Sequence, residues 1–222
     1  SVYLVTGSEP LLIAEACDAI RAAARAQQYA DREVHFLERG FDWNALLADA
    51  ANLSLFATRR LIELRIGPTP DAEAQKSLAG LAARPPEDTV LLVSGELEYK
   101  TLKTAWVKAF EEHGVLVVAQ PVERPALPAW IRDRLARHGV RIEPAAAELL
   151  ADRVEGNLLA AQQEVERVAL LMPGATLDER IEGLTGSTDF FGLNYYFRYL
   201  VRLAPGAPEM VAMTPGPGLR SE

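Results

Sequence analysis

Cysteine is almost missing from this chain: Cys17 is the only one. A disulfide framework within the chain is thereby excluded, and the composition fits a reducing, cytoplasmic setting. Histidine is scarce, with His35, His113 and His138 far apart in sequence. No apolar run approaches the roughly 18 residues of a membrane span, and the residues given open on no signal-peptide pattern. A basic surplus is lacking too. Lys and Arg number 23 against 31 Asp and Glu, a formal charge of −8. That balance argues against a free-standing, phosphate-hugging nucleic-acid binder but leaves DNA contact inside a larger assembly open.

What is present is an ordinary globular balance over 222 residues, 49% hydrophobic and 24% charged, enough for one large domain or two small ones. Val2–Thr6 reads as a buried strand stopping at Gly7; Ser1 leads straight into it, which leaves room for residues before it. Ser8 is the expected N-cap of a helix running to about Ala26, with Pro10 in its first turn. Arg32–Leu37 alternates as a second strand, and Asp42 caps a helix through Ala50. Arg60–Ile66 is a third strand, and Asp71–Ala83 a helix closed by Arg84-Pro85-Pro86. Thr89–Gly95 is so uniformly apolar that it suits a strand covered on both faces. Thr101–His113 is read as one helix ending at Gly114 in a left-handed cap, and Val115–Ala119 as the fifth strand. Strands alternating with helices imply a parallel α/β sheet.

At Gln120-Pro121 the pattern changes, and no convincing strand is read beyond it. Leu127 to Leu135 marks a helix stopped by His138-Gly139, Pro144 opens another, and Leu158 to Met172 defines a third. Leu177–Gly183 fits a short fourth. The expected organisation is an α/β domain over 1–120, a small all-α bundle over 121–186, and a segment over 187–222. Within the last, Phe190–Leu203 is aromatic-rich and fits a helix, whereas Ala204–Glu222 has the Pro/Gly density of a disordered tail.

No catalytic constellation emerges. The turn Thr6-Gly7-Ser8-Glu9-Pro10 stands where an α/β fold would bind phosphate. It has one glycine, no lysine, and a carboxylate where phosphate would be repelled. No later strand ends in paired acids suited to magnesium. His113 and His138 precede glycine at helix ends, where a cation suits the helix dipole, and Cys17 reads as a packed thiol. Glu96 and Glu98 read as solvated loop charges, and Glu111-Glu112 as solvated surface. No metal site or cofactor is expected. The one oddity is the connector Asn52–Arg60, because it carries Leu53, Leu55 and Phe56 where connectors are usually polar. The residues alone leave two readings: the side chains fold back into the core, the commoner outcome, or they are held out for a partner. Arg59 and Arg60 form a small basic pair, for which solvent exposure beside the strand is the plain expectation.

Three stretches bear on that choice. Tyr3-Leu4-Val5-Thr6-Gly7-Ser8-Glu9-Pro10-Leu11-Leu12, Leu53-Ser54-Leu55-Phe56-Ala57-Thr58-Arg59-Arg60, and Glu155-Gly156-Asn157-Leu158-Leu159-Ala160 with Glu164, Arg167 and Leu170-Leu171 resemble, in order and separation, the delta subunit of the bacterial DNA polymerase III clamp loader. The resemblance covers roughly Val2 to Leu184. It implies an AAA+-like five-stranded, mostly parallel sheet domain without a working nucleotide site, followed by a helical lid-like domain. It further implies a non-catalytic subunit of a DNA-directed DNA polymerase holoenzyme that binds and opens the sliding clamp (the beta subunit), while sister subunits of the loader use ATP. Partners would be the clamp, the other clamp-loader subunits and, through them, DNA. Carried over by position, Leu53, Leu55 and Phe56 would be the clamp-binding anchors and Ser54 a small spacer. Members of the family continue into a helical collar domain, for which 187–222 is too short. The alternatives to set beside this are an AAA+-type ATPase or another nucleotide-using α/β enzyme, and a structural protein with its connector buried.

Overall fold

The computed structural model describes residues 1–52, 59–177, 200–203 and 211–214. It divides into two compact units, Ser1–Glu123 and Arg124–Glu222. In the first unit β1 (Val2–Gly7), β2 (Asp31–Leu37), β3 (Arg60–Ile66), β4 (Thr89–Gly95) and β5 (Val115–Ala119) form one sheet in the order β2-β3-β4-β1-β5. Every pairing in it is parallel. Between the strands run α1 (Pro10–Ala26), α2 (Trp43–Asn52), α3 (Ala72–Ala83) and α4 (Ala105–His113).

Strand alternation divides the core into two layers, as side chains on successive residues leave opposite faces of a sheet. Val5, Leu61, Val90 and Leu92 meet Cys17 and Ala24 of α1 on one face. Leu4, Ile62, Leu64, Leu91 and Val93 meet Trp43 and Leu46 of α2, Leu78 and Leu81 of α3, and Trp106 and Phe110 of α4 on the other. The unbroken apolar run of β4 is thus explained: Val90 and Leu92 feed one layer, Leu91 and Val93 the other.

Three local expectations need correction. The N-cap of α1 is Glu9 rather than Ser8, and its side chain accepts from the Leu11 amide at 3.3 Å. Pro10 at the first helical position pushes the residue before it out of helical geometry, which makes Glu9 the half-in residue. The helix expected over Thr101–His113 is broken into a 3₁₀ turn, Thr101–Lys103, and α4, with extended Thr104 between them. Gly114 does not adopt a left-handed conformation (φ −147°, ψ −142°). It is needed for close approach instead, since a Cβ there would fall 2.5 Å from the carbonyl oxygen of Val2.

The second unit contains α5 (Leu127–Arg137), α6 (Pro144–Arg153) and α7 (Leu158–Leu171), with α5 packed against both of the others. Leu127, Ile131, Leu135, Leu150, Val165 and Val168 are among its buried residues. It is not purely helical. The two-residue strands β6 (Arg141–Ile142) and β7 (Thr176–Leu177) pair in parallel, too briefly to leave a periodicity in the sequence. Leu177, read as the start of a helix, is the buried end of β7. Leu200–Leu203, read as helical, is strand β8 and pairs antiparallel with β9 (Val211–Thr214), which lies inside the stretch read as a disordered tail. Among the described residues no helix is long and apolar enough to cross a membrane.

Candidate functional site

Leu53, Ser54, Leu55 and Phe56 lie outside the described residues. Their flanks are fixed by specific contacts. Upstream, α2 is started by Asp42, whose Oδ1 accepts from the Ala45 amide at 2.9 Å, and is held to the sheet by buried Trp43 and Leu46. Downstream, Arg59 donates to the carbonyl of Gln27 at 3.1 Å and lies over the ring of Tyr29, with Asp88 at 3.8 Å. Gln27 is the C-cap of α1, and a cation there complements the negative end of the helix dipole. Arg60 corrects the expectation of solvent exposure. It is buried, its guanidinium faces Glu33 at 3.4 Å, and its amide donates to the carbonyl of Asp88. The connector therefore rejoins the fold at the N-terminal edge of the sheet, through two arginines held in the structure.

The opposite, C-terminal edge holds the turn where phosphate binding would be expected. Here Gly7 has φ +142°, and a Cβ on it would lie 2.0 Å from the carbonyl oxygen of Ala119. That same carbonyl accepts from the Ser8 amide, and the Thr6 hydroxyl accepts from the Leu97 amide. With Glu9 capping α1, the Ser8 and Leu11 amides that could receive an anion are already engaged by the chain itself. Among the described residues no group of three His, Cys, Asp or Glu side chains could hold a metal ion.

The remaining candidates are not brought together. His113 ends α4 and His138 caps the C-terminus of α5. His35 lies on β2, 3.4 Å from Glu33. Cys17 is buried and burial pushes its thiol up, away from a reactive thiolate. Glu96, Glu98, Glu111 and Glu112 are exposed. Glu164 and Arg167, quoted for the third stretch, form an ion pair within α7, whose N-cap Asn157 accepts from the Ala160 amide.

Two features escaped the sequence reading. Glu63, in the middle of β3, is only 1% exposed. It receives both Arg21 of α1 (2.8 and 2.9 Å) and Arg32 of β2 (2.6 and 3.1 Å). Burial raises its pKa, but the hydrogen bonds from the two guanidinium groups outweigh that and hold it down at about 2. The sequence signal was a lone carboxylate within an apolar strand. The second feature is a cavity of about 380 Å³ beyond the C-terminal ends of β2 and β3. It is built by two loops distant in sequence and so had no signal before the β2–β3 pairing was known.

The sequence profile of the family described as DNA polymerase III, delta subunit, matches residues 3–120. The chain is 33% identical over 179 residues to the DNA polymerase III subunit delta of Escherichia coli strain K12, covering 80% of this chain and 52% of that one. It is 26% identical over 181 residues to the Haemophilus influenzae subunit of the same name, covering 80% and 53%. It thus spans about half the length of these relatives. Its fold is similar to that of a Bacillus subtilis DNA clamp loader delta protein, with a TM-score of 0.60 at 20% identity over 79% of this chain and 55% of the other.

Proposed function

The chain belongs to the DNA polymerase III delta subunit family, and we propose that it is the subunit that binds and opens the sliding clamp without itself hydrolysing ATP. The observation that carries the reading is the connector between Asn52 and Arg59: its sequence holds three large apolar residues, Leu53, Leu55 and Phe56, between two flanks that are anchored. Burying one leucine or phenylalanine is worth roughly 1.5–3 kcal/mol, so three suffice to anchor a modest interface. Ser54 acts as a small polar spacer between the anchors. The self-capped turn at Gly7 and Glu9 supports the non-catalytic part of the reading, since hydrolysis would fall to sister subunits. The division into an AAA+-like domain over 1–120, a lid-like domain over 121–186 and a further segment over 187–222 belongs to the same proposal, as do the other loader subunits as partners and DNA through the complex.

The test is calorimetric titration of this chain with the sliding clamp from the same source. The parent should bind, and Leu55→Ala with Phe56→Ala should not, while its circular dichroism and melting stay those of the parent. A double mutant that bound as well as the parent, or that unfolded, would sink the plug reading. Saturable ATP binding by the isolated chain would favour the rival reading, a nucleotide-using enzyme.

A further inference from the structure

The cavity at the C-terminal ends of β2 and β3 is not used by the function proposed above. It lies at the C-terminal end of β3, the end opposite Arg60, where the connector rejoins the sheet. Its walls include Leu37 and Ile66, the last residues of the two strands, and the starts of α2 and α3. In open α/β sheets this carboxyl edge is where ligands bind, and about 380 Å³ is in the size range of a real site.

The sign of charge decides what it would take. Two helix N-termini at the rim would by themselves favour an anion. Both are already closed: Asp42 caps α2 at 2.9 Å and Asp71 caps α3 at 2.8 Å. The lining carries Glu38, Asp71 and Glu73 against Arg39 as its one cation. The balance is negative. Beside the carboxylates stand Phe41, half-buried, and Trp43, with rings 5.0 Å apart and edge to face. An aromatic surface next to carboxylates attracts a flat cation that can stack and fork at once, which is the property of arginine rather than lysine.

We propose that this cavity is an anchor pocket for an arginine side chain presented by a partner protein. Its guanidinium lies against Phe41 and within reach of Glu38 and Glu73, while the methylene stem follows the apolar wall. Binding is a contact between proteins and involves no chemical step.

The test follows the indole N–H signal of Trp43 by NMR in the 222-residue chain, assigned with Trp43→Phe. The probe is the peptide acetyl-Gly-Arg-Gly-amide, with its neutral citrulline counterpart and inorganic pyrophosphate as controls. The arginine peptide should shift the signal saturably, and the citrulline peptide should bind at least tenfold more weakly. Glu38→Gln with Glu73→Gln should weaken the arginine peptide at least fivefold, whereas Arg39→Ala should tighten it. Unchanged Trp106 and Trp130 signals report that each variant is folded. Equal binding of the citrulline peptide, no saturable shift with the arginine peptide, or saturable pyrophosphate binding that Arg39→Ala abolishes would each overturn the proposal.

Discussion

The two edges of the five-stranded sheet handle their polar groups in opposite ways. At the β1 and β5 end of the C-terminal edge the chain closes on itself: Gly7 lies against Ala119, Ser8 donates to the Ala119 carbonyl, and Glu9 caps α1. At the N-terminal edge Arg59 and Arg60 hold the start of β3 to Gln27, Asp88 and Glu33, just after a connector rich in large apolar residues. Phosphate recognition at the β1–α1 turn needs free amides and a lysine; this turn carries no lysine, and its Ser8 and Leu11 amides are bonded within the chain. Protein recognition needs apolar anchors on a fixed base; under the proposed function Leu53, Leu55 and Phe56 are the anchors, and the arginine-held start of β3 is the base. Under the proposed function, the β1–α1 turn of this sheet has given up phosphate chemistry while the opposite edge keeps a docking role.

The largest effect should come from the second edge. Leu55→Ala with Phe56→Ala removes two anchors worth roughly 1.5–3 kcal/mol each, so clamp affinity should fall by more than about a hundredfold. Urea unfolding should be unchanged, because the substitutions lie between the anchored flanks and not within them. A loss of stability as large as the loss of affinity would show that these side chains belong to the core, and the contrast between the edges would collapse.

Next comes the closed edge. Gly7→Ala places a Cβ 2.0 Å from the backbone oxygen of Ala119 at a φ of +142°, where neither backbone yields cheaply. The expected cost is about 3 kcal/mol or more in urea unfolding. A tolerated Gly7→Ala would mean that the β1–α1 turn is open after all, and nucleotide binding would merit a fresh measurement.

β3 joins the two edges, and Glu63 lies near its middle. Replacing it with glutamine leaves Arg21 and Arg32 without their shared carboxylate, at a cost of about 3 kcal/mol. This is the low end of the cost of breaking a buried pair, because the Arg32 side chain is 46% exposed. The dependence on pH follows from the same group. Its carboxyl is held at about 2 against an ordinary 4.5. The stability it adds is therefore fully present above the ordinary carboxylate range and is lost as pH falls through about 2. The melting points of parent and Glu63→Gln should differ at pH 7, draw together below about pH 5, and meet near pH 2. A constant gap across that window would show that the charge on Glu63 is not what locks the strut.

The sequence disclosed most where burial has a period. β3 and β5 match their expected ranges, and β4 was read as covered on both faces because Val90 to Val93 leave no polar side. It disclosed least where structure comes from pairing across distance. Arg21, Arg32 and Glu63 meet only once α1 and β2 are set against β3, and the cavity exists only because Leu37 and Ile66 end side by side. Gly114 was misread because a glycine after a helix fits either a left-handed turn or a close approach, and only the neighbour, Val2, tells them apart. The connector is a different case: periodicity left it undecided, and the expectation for Leu53, Leu55 and Phe56 came from resemblance.

The smallest effects separate two helix caps along the C-terminal edge. Asp71→Ala removes a 2.8 Å bond to the Ala74 amide and should cost about 1 kcal/mol, the usual value of an N-cap. Glu9→Ala removes a longer bond, 3.3 Å to the Leu11 amide, from a residue type outside the preferred caps, and should cost about half as much. The charge at Glu9 matters in a second way. If the carboxylate alone kept phosphate out, Glu9→Ala would uncover ATP binding. If Gly7, held against Ala119, and the missing lysine also keep it out, Glu9→Ala remains silent. Calorimetry with ATP should give no saturable heat for this variant, and saturable heat would trace the loss of this edge to one side chain rather than to the closed turn.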